Sequence, residues 1–148
     1  MLIESRPADD AELAALLTAQ QRELREAGRE FAAYSLHDDT SYLVGIKDWR
    51  VMACAGWRPL GERTAELTRM YVRPAYRSRG YGRQLIVALE EEALAAGRPV
   101  LRLETGVYLP AALALYRSAG YATIPAYGEY VGNPSSVCFE KSLVVTSG

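Results

Sequence analysis

The chain has 148 residues, is 49% apolar and 24% charged, and carries a net charge of −1. That size fits one domain with one core, and the near-neutral balance excludes a global electrostatic draw to nucleic acid or membrane. No apolar stretch approaches membrane-spanning length, and the opening residues lack the long apolar run of a signal peptide. Cys54 and Cys138 lie far apart without a CxxC pattern or a paired histidine, so no metal site is expected and a reduced, cytoplasmic setting is the simplest reading.

Leu2 to Ser5 predicts a short opening strand. Pro7-Ala8-Asp9-Asp10 reads as a helix start, and Leu13, Leu16, Leu17 and Leu24 carry the helical spacing until Gly28 breaks it. A second short helix is expected around Glu30 to Tyr34. Ser41–Ile46 and Arg50–Trp57 predict a hairpin about Lys47-Asp48, with Trp49 and Trp57 as hairpin and core residues. After a turn from Pro59 to Arg63, Thr64–Val72 reads as a strand. Its alternation puts Glu66, Thr68, Met70 and Val72 on one face and Leu67, Arg69 and Tyr71 on the other.

Gly82 to Ala96 is the clearest helix. Leu85, Ile86, Leu89 and Ala93 form its apolar stripe, Glu90, Glu91 and Glu92 fall largely outside it, and Gly97 ends it. Pro99–Thr105 predicts a strand and Pro110–Ala119 a helix closed by Gly120. Tyr121–Ile124 and Ser136–Val144 supply one or two more strands around a Tyr/Gly-rich loop. The central order strand, helix, strand, helix, strand requires a crossover between parallel strands, while the hairpins add antiparallel ones. A mixed α/β, or α+β, single domain follows.

Between Leu67 and Leu89 stand Arg69, Arg73, Arg77, Arg79 and Arg83, and no acid. Within this window Arg77-Ser78-Arg79-Gly80-Tyr81-Gly82 joins the apolar strand to the best helix. A strand, a glycine turn and a helix N-terminus suit a pyrophosphate. The glycines let the backbone approach the ligand, and the first helical N–H groups lack partners in their own helix. The dinucleotide fingerprint is absent, because Leu85 stands where the third glycine belongs. The nucleotide-hydrolase loop is absent too, since no Gly-Lys-Ser/Thr occurs.

Three blocks in order resemble the GNAT superfamily of N-acetyltransferases over roughly residues 40 to 145. They are Glu66-Leu67-Thr68-Arg69-Met70-Tyr71-Val72-Arg73-Pro74, Tyr76 to Gly82, and Leu113-Ala114-Leu115-Tyr116-Arg117-Ser118-Ala119-Gly120-Tyr121. Arg77, Gly80 and Gly82 match the family's Arg/Gln-x-x-Gly-x-Gly/Ala motif, and Leu115 to Tyr121 its Leu-Tyr-x-x-x-Gly-Phe signature with tyrosine for phenylalanine. Leu103-Glu104-Thr105-Gly106 and Ser136 to Lys141 look like a bacterial small-molecule branch. The resemblance implies a twisted mixed sheet of six to seven strands with about four helices, whose fourth and fifth strands, Thr64–Val72 and Pro99–Thr105, splay to admit the pantetheine of acetyl-CoA. It places the pyrophosphate on the N–H groups from Ser78 through Arg79, Gly80, Tyr81 and Gly82 to Arg83. The acetyl carbonyl falls near Met70, Tyr71 and Val72, with Thr105 on the facing strand.

Acetylating an amine requires a base, because an alkylamine with a pKa of roughly 10 is protonated at neutral pH. It also requires hydrogen-bond donors for the tetrahedral oxygen and help for the departing thiolate. Glu66 matches the strand-four glutamate that serves as base in some members, with Glu104 in reserve; the alternative is a glutamate paired with Arg69 or another arginine. Tyr116 matches the family tyrosine beside the thioester sulfur and is the candidate acid, able to donate a proton or a hydrogen bond there; a core-packed ring is the alternative. Arg77 and Arg79 are expected on the cofactor phosphates, or else as solvated surface arginines. Leu109 departs from the pattern, since the family often has asparagine there. His37, the only histidine, reads as a surface residue more readily than as part of the acceptor mouth. Tyr121, Tyr127, Tyr130 and Ser136 are candidates for the acceptor pocket, with simple packing of the aromatic-rich loop as the equal alternative.

The expected activity is transfer of acetyl from acetyl-CoA to an amine, with room for a homodimer. Two other classes compete: a non-catalytic acyl-CoA-binding module of the same fold, and a nucleic-acid binder using the arginine cluster. The charge balance and the lack of a binding motif argue against the latter.

Overall fold

The computed structural model describes residues 1–28 and 39–143. In chain order these form β1 (Leu2–Arg6), α1 (Ala11–Glu26), β2 (Ser41–Lys47), β3 (Arg50–Leu60), β4 (Thr64–Val72), α2 (Tyr81–Ala95), β5 (Val100–Gly106), α3 (Pro110–Ser118), β6 (Ala122–Ile124) and β7 (Ser136–Ser142). Single 3-10 turns occupy Pro74–Tyr76 and Gly128–Tyr130. The expected helix at Glu30–Tyr34, His37 and the last residue of the predicted final strand, Val144, lie outside the described residues.

One seven-stranded sheet runs β1-β2-β3-β4-β5-β7-β6. Only the β4–β5 pair is parallel, which the crossover through α2 requires. Helix α1 starts where Asp10 accepts the Leu13 N–H at 2.9 Å. It buries Leu13, Leu16 and Leu17 against Tyr42, Val44, Val51, Cys54 and Tyr71 on one face of the sheet. The opposite face carries the larger core, in which Leu85, Ile86, Leu89 and Ala93 of α2 meet Ala65, Leu67, Leu101, Leu103 and Phe139. Truncating a fully buried leucine such as Leu89 to alanine would cost about 2–5 kcal/mol.

Three expectations need correction. The alternation of β4 does not run through the strand. Arg69 adopts φ +57, and the register with β3 shifts between Cys54 and Gly56. Ala65 and Leu67 face the α2 side before this bulge, while Met70 and Val72 pack there after it, with Tyr71 turned to α1. One extra residue inverts the alternation. Glu90, expected largely outside the apolar stripe of α2, is nonetheless buried: it is 8% exposed and accepts the Tyr121 hydroxyl at 2.9 Å. Tyr121 is therefore a core residue, 3% exposed, and does not line an acceptor pocket. Trp49 sits at the hairpin tip, where Asp48 and Trp49 both have positive φ, and it is 99% exposed.

Candidate active site

The site is built around the parting of β4 and β5. Their pairing consists of Thr64↔Val100, Ala65↔Leu101 and Glu66↔Arg102, and the strands separate beyond it. Toward Met70–Val72 on one side and Thr105–Gly106 on the other, the two edges diverge. Beyond this point β5 is hydrogen-bonded on its other edge to β7, through Thr105↔Val137 and Gly106↔Ser136. Thr105 itself is buried. A wedge between parallel strands leaves backbone groups for an extended ligand to pair with.

The wide end of the wedge meets the glycine turn. Gly80 caps α2 with φ +84, a conformation that side chains other than glycine's rarely adopt, and a Cβ built there meets no atom within 4 Å. The Gln84 N–H makes the first helical bond, to the Gly80 carbonyl at 3.2 Å. The N–H groups of Tyr81, Gly82 and Arg83 precede it and have no helical acceptor. Gly82 has a different role. A Cβ there would lie 3.3 Å from Leu115 Cδ2, so it lets α2 and α3 approach. Ser78 also has positive φ, at +64, and Arg79 and Arg83 are exposed beside the turn. An anion fits this cradle on charge and on backbone geometry alike.

Arg77 does not point its guanidinium into the cradle. Its Nε donates to the Val72 carbonyl at 2.8 Å, and its Nη2 lies 2.7 Å from both oxygens of Glu23 on α1. The Tyr71 hydroxyl donates to the same carboxylate at 3.1 Å. Arg77, read from the sequence as a phosphate ligand or a solvated arginine, thus ties the turn to α1 and β4. Close by, Gln20 of α1 is 7% exposed and donates to the Met70 carbonyl at 2.7 Å, while its buried Oε1 has no partner among the described residues. Because a peptide unit is planar and trans, fixing the Met70 carbonyl toward α1 turns the Tyr71 N–H to the opposite side.

At the narrow end, Glu66 is 4% exposed. Its Oε1 accepts from Arg58 Nε at 3.0 Å and its Oε2 from the Tyr127 hydroxyl at 2.6 Å. The paired arginine is thus Arg58, on β3. Each carboxylate oxygen keeps a further lone pair beyond the bond described. A cavity of about 220 Å³ opens here, lined by Arg58, Leu60, Glu66, Tyr127, Gly128, Glu129 and Tyr130. Burial, reinforced by the Glu66 charge, holds the Tyr127 phenol above its ordinary range, and burial with Glu66, Glu104 and Glu129 does the same for Tyr130. Ser136 donates to Glu104 at 2.6 Å, on the same polar face of β5.

Tyr116 of α3 is buried with its ring edge-on to Tyr121, centroids 6.1 Å apart, and tilted against Phe139. Burial first, and the Glu104 charge second, push its phenol above the usual range. Leu109 is the N-cap of α3 and provides no side-chain cap bond, so the departure read in the sequence removes a polar group at that helix start. Among the described residues no group of three or more potential metal ligands occurs. Cys54 is buried against the Arg69 carbonyl, its thiol pushed up to about 12 by burial.

Gln20, Glu23, Arg58, Leu60 and Glu129 were not singled out by sequence reasoning. Arg58 left a signal: Leu60↔Thr64 closes a turn, and counting two residues out along each strand sets Arg58 opposite Glu66. Gln20 and Glu23 left none, since each reaches its partner only through the packing of α1 on the sheet.

A family model for "Acetyltransferase (GNAT) family" matches residues 10–121. An IAA acetyltransferase from Azospirillum brasilense is 39% identical over 106 residues, which is 71% of this chain and 69% of that protein. A crystal structure from Klebsiella pneumoniae, assigned as an acyl-CoA N-acyltransferase, has a TM-score of 0.86 at 30% identity, covering 97% of each chain. A GNAT family acetyltransferase from Elizabethkingia anophelis with acetyl-CoA bound shares the fold, with a TM-score of 0.74, 16% identity, and 96% of this chain and 97% of that one covered. With three quarters of its length under the family model, a parted β4–β5 pair and a glycine-turn anion cradle at its mouth, this chain belongs to the GNAT family of acetyltransferases.

Proposed function

We propose that the chain transfers the acetyl group of acetyl-CoA to a primary amine of a small molecule or peptide, by direct attack in a ternary complex. The observation that carries this reading is the β4–β5 wedge, with a glycine turn suited to an anion at its wide end and the buried Glu66 at its narrow end. A GNAT fold that holds acetyl-CoA in the Elizabethkingia protein supports the choice of co-substrate.

In this reading the diphosphate rests on the N–H groups between Ser78 and Arg83, with Arg79 and Arg83 adding charge at the mouth. Pantetheine runs along the free edge of β4, and the thioester carbonyl accepts from backbone N–H groups of the Met70–Val72 segment, which Gln20 holds in place. The incoming ammonium gives one proton to Glu66 through water, using a lone pair not taken by Arg58 or Tyr127. The free amine attacks the carbonyl carbon, the C–S bond breaks, and the second amine proton ends on the CoA sulfur. Tyr116 hydrogen-bonds to the developing thiolate. A phenol held above its ordinary pKa is a donor in that role, since full transfer toward a thiol of pKa roughly 8.5 would run uphill.

Thiol release from acetyl-CoA across amines, amino acids, polyamines, aminoglycosides and N-terminal peptides tests the proposal. Release with one acceptor class supports it. Acetyl-CoA binding without release for any acceptor would replace it with the non-catalytic acyl-CoA module.

A further inference from the structure

The cavity beside Glu66 has a chemistry more specific than that of an amine site in general. Among the described residues that line it, two carboxylates, Glu66 and Glu129, stand against one guanidinium, Arg58, and the Asp39 and Glu104 charges act on Arg58 and Tyr130 as well. Arg58 Nε is engaged by Glu66, so the positive group faces a carboxylate already in place. Tyr127 and Tyr130 form a corner, with centroids 5.4 Å apart and planes at 85°. Aromatic faces attract cations, and such a corner offers faces in two directions. Arg102 already lies over the Tyr127 ring at 5.3 Å, so one of these faces is used within the protein. Leu60 adds an apolar surface. Its volume is about 220 Å³.

Resting on the amine-transfer reading above, we infer that the acceptor is a compact monoamine without a carboxylate, its cationic body held between Glu66, Glu129 and the Tyr127–Tyr130 corner. A carboxylate next to the amine would face Glu66 and Glu129, and like charges brought together in a partly enclosed site are strongly disfavoured. A polycation would need a counter-charge for each ammonium, and of the two described lining carboxylates Glu66 is already paired with Arg58. Glu129, exposed at the cavity mouth, is then a residue that sets specificity rather than one that takes part in the chemistry.

The experiment compares kcat/KM for acetyl-CoA-dependent acetylation of 2-phenylethylamine, L-phenylalaninamide and L-phenylalanine, which share a skeleton and differ at the carboxylate. Spermidine and an aminoglycoside are run beside them. The expected result is a preference of at least about tenfold for the first two over phenylalanine, the equivalent of about 1.4 kcal/mol. Glu129→Lys is expected to shrink that ratio by improving phenylalanine and weakening phenylethylamine. Phenylalanine at or above phenylethylamine, or spermidine or the aminoglycoside as the best substrate, overturns the inference while leaving amine transfer intact. No thiol release with any of the five overturns the inference, and silence across the wider acceptor panel above, N-terminal peptides included, overturns amine transfer itself.

Discussion

Arg77 of the glycine turn is bound to Glu23 of α1, with Nη2 2.7 Å from both carboxylate oxygens across 54 residues of sequence. Both side chains are about 40% exposed, so the pair by itself stabilises the fold by at most about 1 kcal/mol. Its larger effect is on the shape of the turn. Arg77→Ala and Glu23→Gln are each expected to raise the KM for acetyl-CoA severalfold, and the double variant to do no more than either alone. A loss with Arg77→Ala but none with Glu23→Gln would instead make Arg77 a direct phosphate ligand.

The same pair predicts an acid limb in stability. Hydrogen bonding and charge from Arg77 hold the Glu23 carboxyl below its ordinary value in the folded protein. A carboxyl depressed on folding stabilises above its unfolded pKa of roughly 4.3, and that contribution disappears as pH falls through the folded value. Melting curves at pH 7 and pH 3 should therefore show a smaller acid-induced drop in Tm for Glu23→Gln than for the wild type. Equal drops would mean that Glu23 is not among the groups that link folding to protons.

Tyr116→Phe should lower kcat by at least about tenfold while the KM for acetyl-CoA changes less than threefold, in line with the loss of a hydrogen bond made mainly in the transition state. Because burial keeps the phenol protonated beyond its usual range, the wild-type kcat should show no alkaline fall from Tyr116 up to about pH 10. Wild-type turnover in the variant would remove Tyr116 from the chemistry and leave it as a packing residue against Tyr121 and Phe139.

Glu66→Gln removes a proton acceptor but keeps a hydrogen-bonding side chain between Arg58 and Tyr127. Activity should fall most near neutral pH and recover as pH approaches the amine pKa of roughly 10, where free amine is abundant. A loss of equal size at every pH, together with a lowered Tm, would make Glu66 a structural partner of Arg58. The distinction matters because a largely buried ion pair broken on one side costs about 3–5 kcal/mol through the charge left behind.

Tyr121→Phe tests the buried contact of a tyrosine that sequence reasoning left between core packing and the acceptor pocket. Glu90 receives the Tyr121 hydroxyl at 2.9 Å and lies 3.0 Å from Lys141 Nζ, which also donates to the Ala119 carbonyl at 2.8 Å. Losing the phenol leaves a buried carboxylate oxygen with one partner fewer, at a cost of about 1–3 kcal/mol. Thermal unfolding should shift by several degrees for a domain of this size, with the KM for acetyl-CoA unchanged. An unchanged Tm would mean that Lys141 and water satisfy Glu90 without the tyrosine.

The glycine turn is legible in the amino-acid sequence because its signal is local: Gly80 has the positive φ that glycine tolerates, and Gly82 fills a position where a methyl group would press on Leu115. Helices α1, α2 and α3 are legible close to their observed bounds because an apolar stripe repeats within a few residues. The bulge at Arg69 is not. A strand with one extra residue has the same composition as a regular one, and only its pairing with β3 exposes the shift. Glu90 is misread for a related reason, since a glutamate beside an apolar stripe looks solvated until Tyr121 and Lys141 are packed against it.

The sequence by itself determined the order of strands and helices, the crossover that makes β4 and β5 parallel, and the glycine turn at the start of α2. These follow from steric limits on φ and from hydrophobic periods of two and 3.6 residues, which act between near neighbours. Only the tertiary structure decided that Arg77 answers to Glu23, that Glu66 is held by Arg58 and Tyr127, and that Tyr121 lies in the core. Those pairs join residues on separate elements, 54, 61 and 31 positions apart for Arg77–Glu23, Tyr127–Glu66 and Tyr121–Glu90. Their geometry exists only once burying the two faces of the sheet has fixed how α1, α2 and the loop after β6 pack.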